Sequence, residues 1–438
     1  MGETGFKKRI RMMNRVEVRW IVVLAAIGIF ALPAAASAAS RIQLGTLKVQ
    51  RGRVVPEARN QWKATATFST SARYEDNFFQ TAENEHAVRT YLFQPGIQLG
   101  YHSAKSVIRL LYTVDAHVYE DRDDGPEGSA DGDDFIGHTL ALHMRTSPTP
   151  KLSFGIDNEL DVTREENKSD RFANETGRDR FFVNRFTPGV FYRFNDHFST
   201  AASYRHTLLD YKRDTDQDST ENRGIWEGFY DLSPKTAIGL KYQYWKRNYE
   251  MDANDYASNQ GELVLNRRGK HLELEAGAGY QNRDFDAEGR SDEDTYNYRI
   301  ALTGQTAETP LGHPRSYLTA AFEQNFNDSG VSDDFFDAMR FRLTAGHVFM
   351  DRFLLELDGH YLNADYPQQS EDRPDGSRVG REDDRYGVTA SAGYWFREWV
   401  ALLLSGGYEQ RESNLAGFDF DNTFVQLSLN TNYDFGGR

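Results

Sequence analysis

Residues 62–74 read WKATATFSTSARY, and their alternation decides the fold. Trp62, Ala64, Ala66, Phe68, Ala72 and Tyr74 share one parity, while Lys63, Thr65, Thr67, Ser69, Ser71 and Arg73 share the other. A period of two with one apolar and one polar face belongs to a strand that meets different solvents on its two sides. The pattern returns along the chain. Tyr91, Phe93, Ile97, Leu99 and Tyr101 oppose Gln94, Gln98 and His102; Ile108, Leu110, Tyr112 and Val114 oppose Arg109, Thr113 and Asp115. Leu152–Val162, Leu272–Tyr280 and Phe353–Tyr361 repeat it, and Val425, Leu427, Leu429, Tyr433 and Phe435 close it. About eighteen such segments can be read, each near the roughly 9–11 residues a tilted strand needs to cross hydrocarbon. Sixteen fits the same boundaries.

Bulk composition neither requires nor forbids a membrane. The 438 residues are 39% hydrophobic with a mean hydropathy of -0.68, and nothing after residue 32 is long and apolar enough to be a spanning helix. A barrel escapes that test because only every second strand residue faces lipid. Cysteine is absent, which excludes disulfides, thiol catalysis and iron–sulfur clusters. The 23 Tyr and 29 Phe suit interfacial girdles better than an ordinary soluble core.

Connections carry independent information. Short turns at Ser103–Lys105, Asn195–His197, Ser233–Lys235, Arg268–Lys270 and Met350–Arg352 alternate with long polar loops. The loops are expected over Glu120–Asp134, Arg164–Arg178, Tyr211–Glu221, Asp284–Asp294 and Ala364–Asp383. A soluble sandwich has no reason to sort its loops this way, whereas outer-membrane barrels pair tight periplasmic turns with long extracellular loops. Both termini then fall on the periplasmic side. Two aromatic belts are expected: Tyr101, Phe194, Phe198, Phe349, Phe353, Tyr394, Phe396 and Trp399 on the short-turn side, and Tyr74, Tyr211, Tyr249, Phe285, Phe326 and Tyr408 opposite. The fold read from these patterns is all-β: a transmembrane antiparallel up-and-down barrel over 62–435.

Ahead of it, Lys7, Lys8, Arg9, Arg11, Arg15 and Arg19 precede an apolar run from Trp20 to Leu32, and Ala36-Ser37-Ala38 fits a cleavage site. Residues 1–38 are expected to be a signal peptide, and 39–61 a short basic periplasmic lead-in. Cleavage takes the formal net charge from -15 to about -19, because six basic and two acidic residues leave with the peptide. So acidic a chain offers nothing to nucleic acid.

Within the strands, Phe93-Gln94-Pro95-Gly96-Ile97 and Phe186-Thr187-Pro188-Gly189-Val190 share F-x-P-G-[IV]. Proline removes a ladder donor and glycine permits a bulge, so both strands are expected to kink at one height.

No phosphate loop, dinucleotide fingerprint, HExxH or nucleophile elbow is present. His138, His143, His206 and His360 stand singly on different strands, and Ser203 and His206 take opposite faces. An enzyme is not expected, nor a cofactor or metal. The parity opposite the apolar face lists the candidate pore lining: Arg185, Arg193, Arg205, Glu227, Asp231, Lys241, Trp245, Arg247, Glu273, Glu275, Arg299, Glu323, Arg340, Arg342, Glu356 and Asp358, with Glu262 among them. Signs tend to alternate between neighbouring strands, so cross-strand ion pairs bracing a wet wall are expected, with no single-sign ring. The acidic loops, such as Glu120–Asp124 and Glu382–Asp384, read as solvated tips that divalent cations bridge to lipopolysaccharide.

Tyr74-Glu75-Asp76-Asn77-Phe78-Phe79, followed by Phe93-Gln94-Pro95-Gly96-Ile97, resembles the opening hairpin of the putative β-barrel porin type 2 family. Its members open with an aromatic-x-D-N-[IF]-[FY] segment and a P-G strand. The resemblance is specific in this first hairpin and thin elsewhere. At the end the chain departs from the usual terminal aromatic, because Gly436-Gly437-Arg438 follow Phe435. Through relatives tied to exopolysaccharide export, the resemblance implies an outer-membrane channel that passes a secreted polysaccharide received from periplasmic machinery. Inward Phe191, Phe229 and Trp245 would stack on sugar rings, or anchor an inward-folded loop. The wall itself equally allows a general diffusion porin for small solutes, and the loops a structural or adhesive barrel.

Overall fold

The computed structural model describes residues 61–435, apart from 123–129, 131–133, 165–179, 213–217, 251–254, 288–289, 329–334 and 373–377. The expected signal peptide and all but the last residue of the expected lead-in lie outside the described residues.

Eighteen antiparallel strands follow one another around a single closed sheet. The first six are β1 (Gln61–Glu75), β2 (Val88–His102), β3 (Ser106–Asp121), β4 (Phe135–Thr146), β5 (Leu152–Thr163) and β6 (Phe181–Arg193). Next come β7 (Phe198–Tyr211), β8 (Ser219–Ser233), β9 (Thr236–Tyr249), β10 (Tyr256–Arg268), β11 (Leu272–Phe285) and β12 (Glu293–Gln305). The last are β13 (Ser316–Asp328), β14 (Phe335–Phe349), β15 (Phe353–Asp372), β16 (Arg378–Arg397), β17 (Val400–Ser413) and β18 (Phe420–Asp434). Each pairs with its neighbours in sequence, and β1 closes on β18 from Thr65↔Asp434 to Glu75↔Phe424. Closure removes both edges, which is what lets a sheet sit in hydrocarbon with every backbone group paired.

Register carries one face continuously round the ring. On that face Trp62, Ile97, Tyr112, Phe154, Leu263, Ile300 and Leu404 are exposed, each at least 39%. Exposed large apolar residues all round a closed wall are the surface a bilayer selects. At the short-turn rim the outward ring includes Tyr101, Phe194, Phe198, Tyr394, Phe396 and Trp399, with Phe194 and Phe198 stacked at 5.1 Å. The opposite belt differs from expectation. Tyr211, Tyr249 and Phe285 fall on the inward parity, and Tyr211 packs with Phe181, Val183 and Leu209. The outward belt on this side keeps the expected Tyr74 and Tyr408 and includes Tyr280, Tyr361 and Tyr386. The hydroxyls of these last three donate to Asp294 (2.7 Å), Asp384 (2.6 Å) and Glu412 (2.9 Å).

Those tyrosines mark where the strands leave lipid, and past them the faces exchange character. On β15, Leu362, Ala364 and Tyr366 turn inward and are buried, while Asn363 and Asp365 turn outward. Once water surrounds the wall, apolar side chains gain by packing inside it. This inversion corrects the loop expected at Ala364–Asp383. The ladder continues through it, with β15 and β16 each 20 residues long and a register shift between Tyr366 and Ser370. The Arg381 guanidinium lies 4.1 Å from the Tyr366 ring centroid, so aromatic–cation packing replaces aliphatic contact.

The five short turns read in the sequence are as tight as expected, while the β12–β13 connection at the same rim runs over residues 306–315. Met350 and Asp351 both take positive φ (49° and 60°), the left-handed conformation that closes the β14–β15 hairpin without glycine. The expected kink at the two F-x-P-G segments is not a bulge. Around Pro95 the β2–β3 ladder lapses between Phe93↔Ala116 and Gly96↔Thr113 and resumes in unchanged register; β6–β7 does the same around Pro188. The missing donor interrupts pairing on one side only, while β1 and β5 continue the ladder on the other.

Candidate functional site

The inner wall is an extended surface turned away from lipid, and register places every pore-lining candidate on it. Arg185 and Arg193 come from β6, Arg205 from β7, Glu227 and Asp231 from β8, and Lys241, Trp245 and Arg247 from β9. Glu273 and Glu275 come from β11, Arg299 from β12, Glu323 from β13, Arg340 and Arg342 from β14, and Glu356 and Asp358 from β15.

At membrane height several of these charges pair across strands. Arg299 donates from Nε to Glu262 at 2.6 Å and from Nη1 to Glu275 at 2.5 Å, spanning β10 to β12. Gly277 lies between them, and a Cβ there would collide with the Glu262 carboxylate. A glycine is therefore required where the arginine passes across its neighbour. Arg340 Nε donates to Glu323 at 3.0 Å and Arg342 Nε to Asp358 at 3.0 Å; Tyr317 donates to Glu356 at 3.1 Å. Further round, Glu409 on β17 accepts from Arg385 at 2.8 Å and contacts His360 Nε2 at 3.1 Å. Charge-assisted pairs of this kind hold long side chains against the wall.

Two of the three expected sugar platforms are covered. Trp245 is 3% exposed, with the Arg223 guanidinium 4.1 Å from its ring centroid and its Nε1 donating to Tyr256 at 3.4 Å. Phe229 is buried as well, leaving Phe191 half-buried on β6. The covered rings brace the wall.

Two segments turn inward over the mouths. At the long-loop rim, residues 76–87 after β1 place Phe78 against Val88, Tyr119 and Phe135, all inward residues of β2, β3 and β4. The segment is pinned across the β1–β18 seam. Asp76 Oδ1 accepts from the Thr423 amide at 2.6 Å, and Asn77 Nδ2 donates to the Thr81 and Asp421 carbonyls at 2.8 and 3.0 Å. The Tyr74–Phe79 motif is thus a clasp for barrel closure. At the short-turn rim, residues 306–315 between β12 and β13 fold across the mouth, so that Leu311 packs on the cluster of Val348, Leu354, Trp395 and Leu403. His313 stacks on Trp395 with centroids 4.2 Å apart and planes 13° from parallel.

Sequence reasoning passed over this second segment, whose signal is an apolar Leu311 inside a Pro-Leu-Gly-His-Pro turn. It also passed over the inward Arg109–His143–Asp157 row across β3, β4 and β5, where His143 Nδ1 and Asp157 meet at 2.5 Å. Parity alone had already put Arg109 on the polar face. Among the described residues, no group of three or more His, Asp or Glu side chains is placed to hold a metal ion.

Residues 267–433, from the end of β10 through nearly all of β18, match the family described as putative beta-barrel porin 2. The resemblance read in the first hairpin is therefore met by a match in the other half of the barrel. Similar solved structures include OccAB4 of Acinetobacter baumannii, at 12% identity over 86% of this chain and 98% of that one, with a TM-score of 0.48. Another is OpdK of Pseudomonas aeruginosa, crystallised with vanillate, at 12% identity over 85% and 99%, with a TM-score of 0.46. OccK7 (OpdD) of the same species matches at 13% identity over 86% and 99%, with a TM-score of 0.45. No curated protein sequence matches the chain.

Proposed function

We propose that this chain, an outer-membrane β-barrel of the porin type, is a passive channel for small solutes. The observation that carries the reading is the inner wall, where arginines and carboxylates pair across strands instead of forming a ring of one sign. A wall neutralised in this way repels neither ion strongly and offers a polar surface to uncharged solutes. Inward-turned segments at both mouths favour small solutes over a continuous polymer. In this reading the short turns and both termini are periplasmic, and the acidic long loops face outward, where divalent cations tie them to lipopolysaccharide.

Polysaccharide export is the second reading, and its support is the resemblance of the first hairpin. The clasp geometry gives that motif a structural role, and Phe191 alone of the three expected platforms is left to stack on a sugar. Liposome swelling with neutral sugars of graded size tests the first reading. Monosaccharides and disaccharides should enter, and swelling should fall away for longer oligomers. Impermeability to all of them, together with loss of extracellular polysaccharide in a deletion strain, would reverse the order of the two readings.

A further inference from the structure

The lipid-facing wall is not uniformly convex. Between β8 and β12 an apolar groove of about 710 Å³ is cut into it, walled by Trp226 and Tyr230 on one side and by Tyr298 and Ile300 on the other. Its depth follows from small residues: Ala276 and Ala278 stand outward on β11 where most strands carry Leu, Tyr or Phe, and Gly228 takes the corresponding face of β8. An apolar groove in hydrocarbon is no surprise by itself, and gives no drive for a protein partner, since lipid tails are as apolar as leucine. What distinguishes this one is its short-turn end.

Leu263, Leu265 and Arg267 follow one another on the outward face of β10. The first two line the groove, and the third lies just beyond them at the rim, exposed. Arg267 pairs in register with Thr236, whose neighbour Lys235 is exposed in the β8–β9 turn. Lys270 is exposed in the β10–β11 turn beside it. Among the described residues none of these three cations has an acidic partner. Arg268 and Glu273, by contrast, alternate to the inward face and pair with each other at 2.8 Å. The outward positions flanking Arg267 are Thr236 and Leu274, so no carboxylate competes there.

We propose that this groove and its cationic rim form a binding site for an anionic phospholipid, the acyl chain lying along β10 and β11 and the phosphate held by Lys235, Arg267 and Lys270. Phe198 and Tyr230 share a register row with Ile238 and Leu265, one outward position in from Arg267, so the aromatic girdle puts the headgroup level beside the cations. Each basic residue near an anionic headgroup contributes a factor of about five, so three together favour it about a hundredfold over a zwitterionic lipid.

Trp226 in the groove wall supplies the readout. The protein is placed in phosphatidylcholine nanodiscs holding a small share of brominated phosphatidylglycerol or, for comparison, the same share of brominated phosphatidylcholine. The Trp226 signal is isolated as the difference from Trp226→Phe. Brominated phosphatidylglycerol should quench it in marked excess, and Lys235→Gln/Arg267→Gln/Lys270→Gln should remove that excess. Ala278→Phe, which fills the groove and leaves the cations, should remove it too; Ala276→Leu serves if that variant fails the heat-modifiable gel test of folding. Equal quenching by both lipids, or an excess that survives the triple substitution, would overturn the site. An excess that survives groove filling would overturn the acyl-chain assignment, leaving attraction by the rim alone.

Discussion

Asn77→Ala tests the clasp most sharply, because the side chain is fully buried and its bonds can be counted. Nδ2 donates to two carbonyls, those of Thr81 and Asp421, and Oδ1 accepts from the Thr81 amide at 3.0 Å. Each hydrogen bond is worth about 1 kcal/mol net, and leaving its partner buried and unmet can cost about 1–3 kcal/mol. Loss of all three bonds should therefore destabilise the closed barrel by about 3 kcal/mol, well beyond the roughly 0.5 kcal/mol expected of an ordinary surface change. Reversible urea unfolding in detergent micelles reads it, with the midpoint falling and the slope unchanged. Asn77→Asp keeps the acceptor for Thr81 but sets a buried carboxylate oxygen against the two carbonyls, so at neutral pH it should destabilise at least as much as alanine. An alanine variant within about 0.5 kcal/mol of wild type would refute the clasp, because the β1–β18 seam would then close without it.

Other expectations follow from the inner wall and the short-turn rim. Gly277→Val thrusts a branched side chain into the Glu262 carboxylate. It should cost about 1–3 kcal/mol, read as a lower temperature for the heat-modifiable gel shift. Arg342→Gln leaves Asp358 without its guanidinium partner, and the reversal potential in a salt gradient should move toward cation preference. Trp395→Ala removes the ring on which His313 stacks and part of the cluster under Leu311, so single-channel conductance should rise as residues 306–315 loosen. Burial pushes the His313 imidazole below its ordinary range, so the packed turn prefers the neutral ring and the released turn takes a proton more readily. The contact is fully held above about pH 6.5 and weakens as the pH falls below it. Open-channel noise should grow at acid pH in wild type and stay flat in His313→Gln.

Alternation made the fold legible because a membrane strand has two solvents, and Trp62–Tyr74 records both. The inner face was legible for the same reason: parity survives any error of a residue or two at a strand end. What escaped was the strand pattern past the lipid boundary on the long-loop side. There Leu362, Ala364 and Tyr366 point inward and Asp365 outward, so a reader seeking apolar-out strands meets the reversed pattern and stops at a loop. The same inversion turns Tyr211, Tyr249 and Phe285 away from the expected belt, since an aromatic near a strand end joins a girdle only when its parity is outward. Trp245 shows a different limit. Its inward direction could be read, but the Arg223 guanidinium that covers it comes from the neighbouring strand β8, and pairing of that detail is a property of the folded wall.

The central claim, a channel whose lumen is held near neutrality by cross-strand ion pairs, is tested most directly in a planar bilayer. Purified protein should insert as discrete conductance steps, with a reversal potential close to zero in a potassium chloride gradient. A bilayer that stays silent, or a reversal potential near the ideal value for one ion, would contradict it.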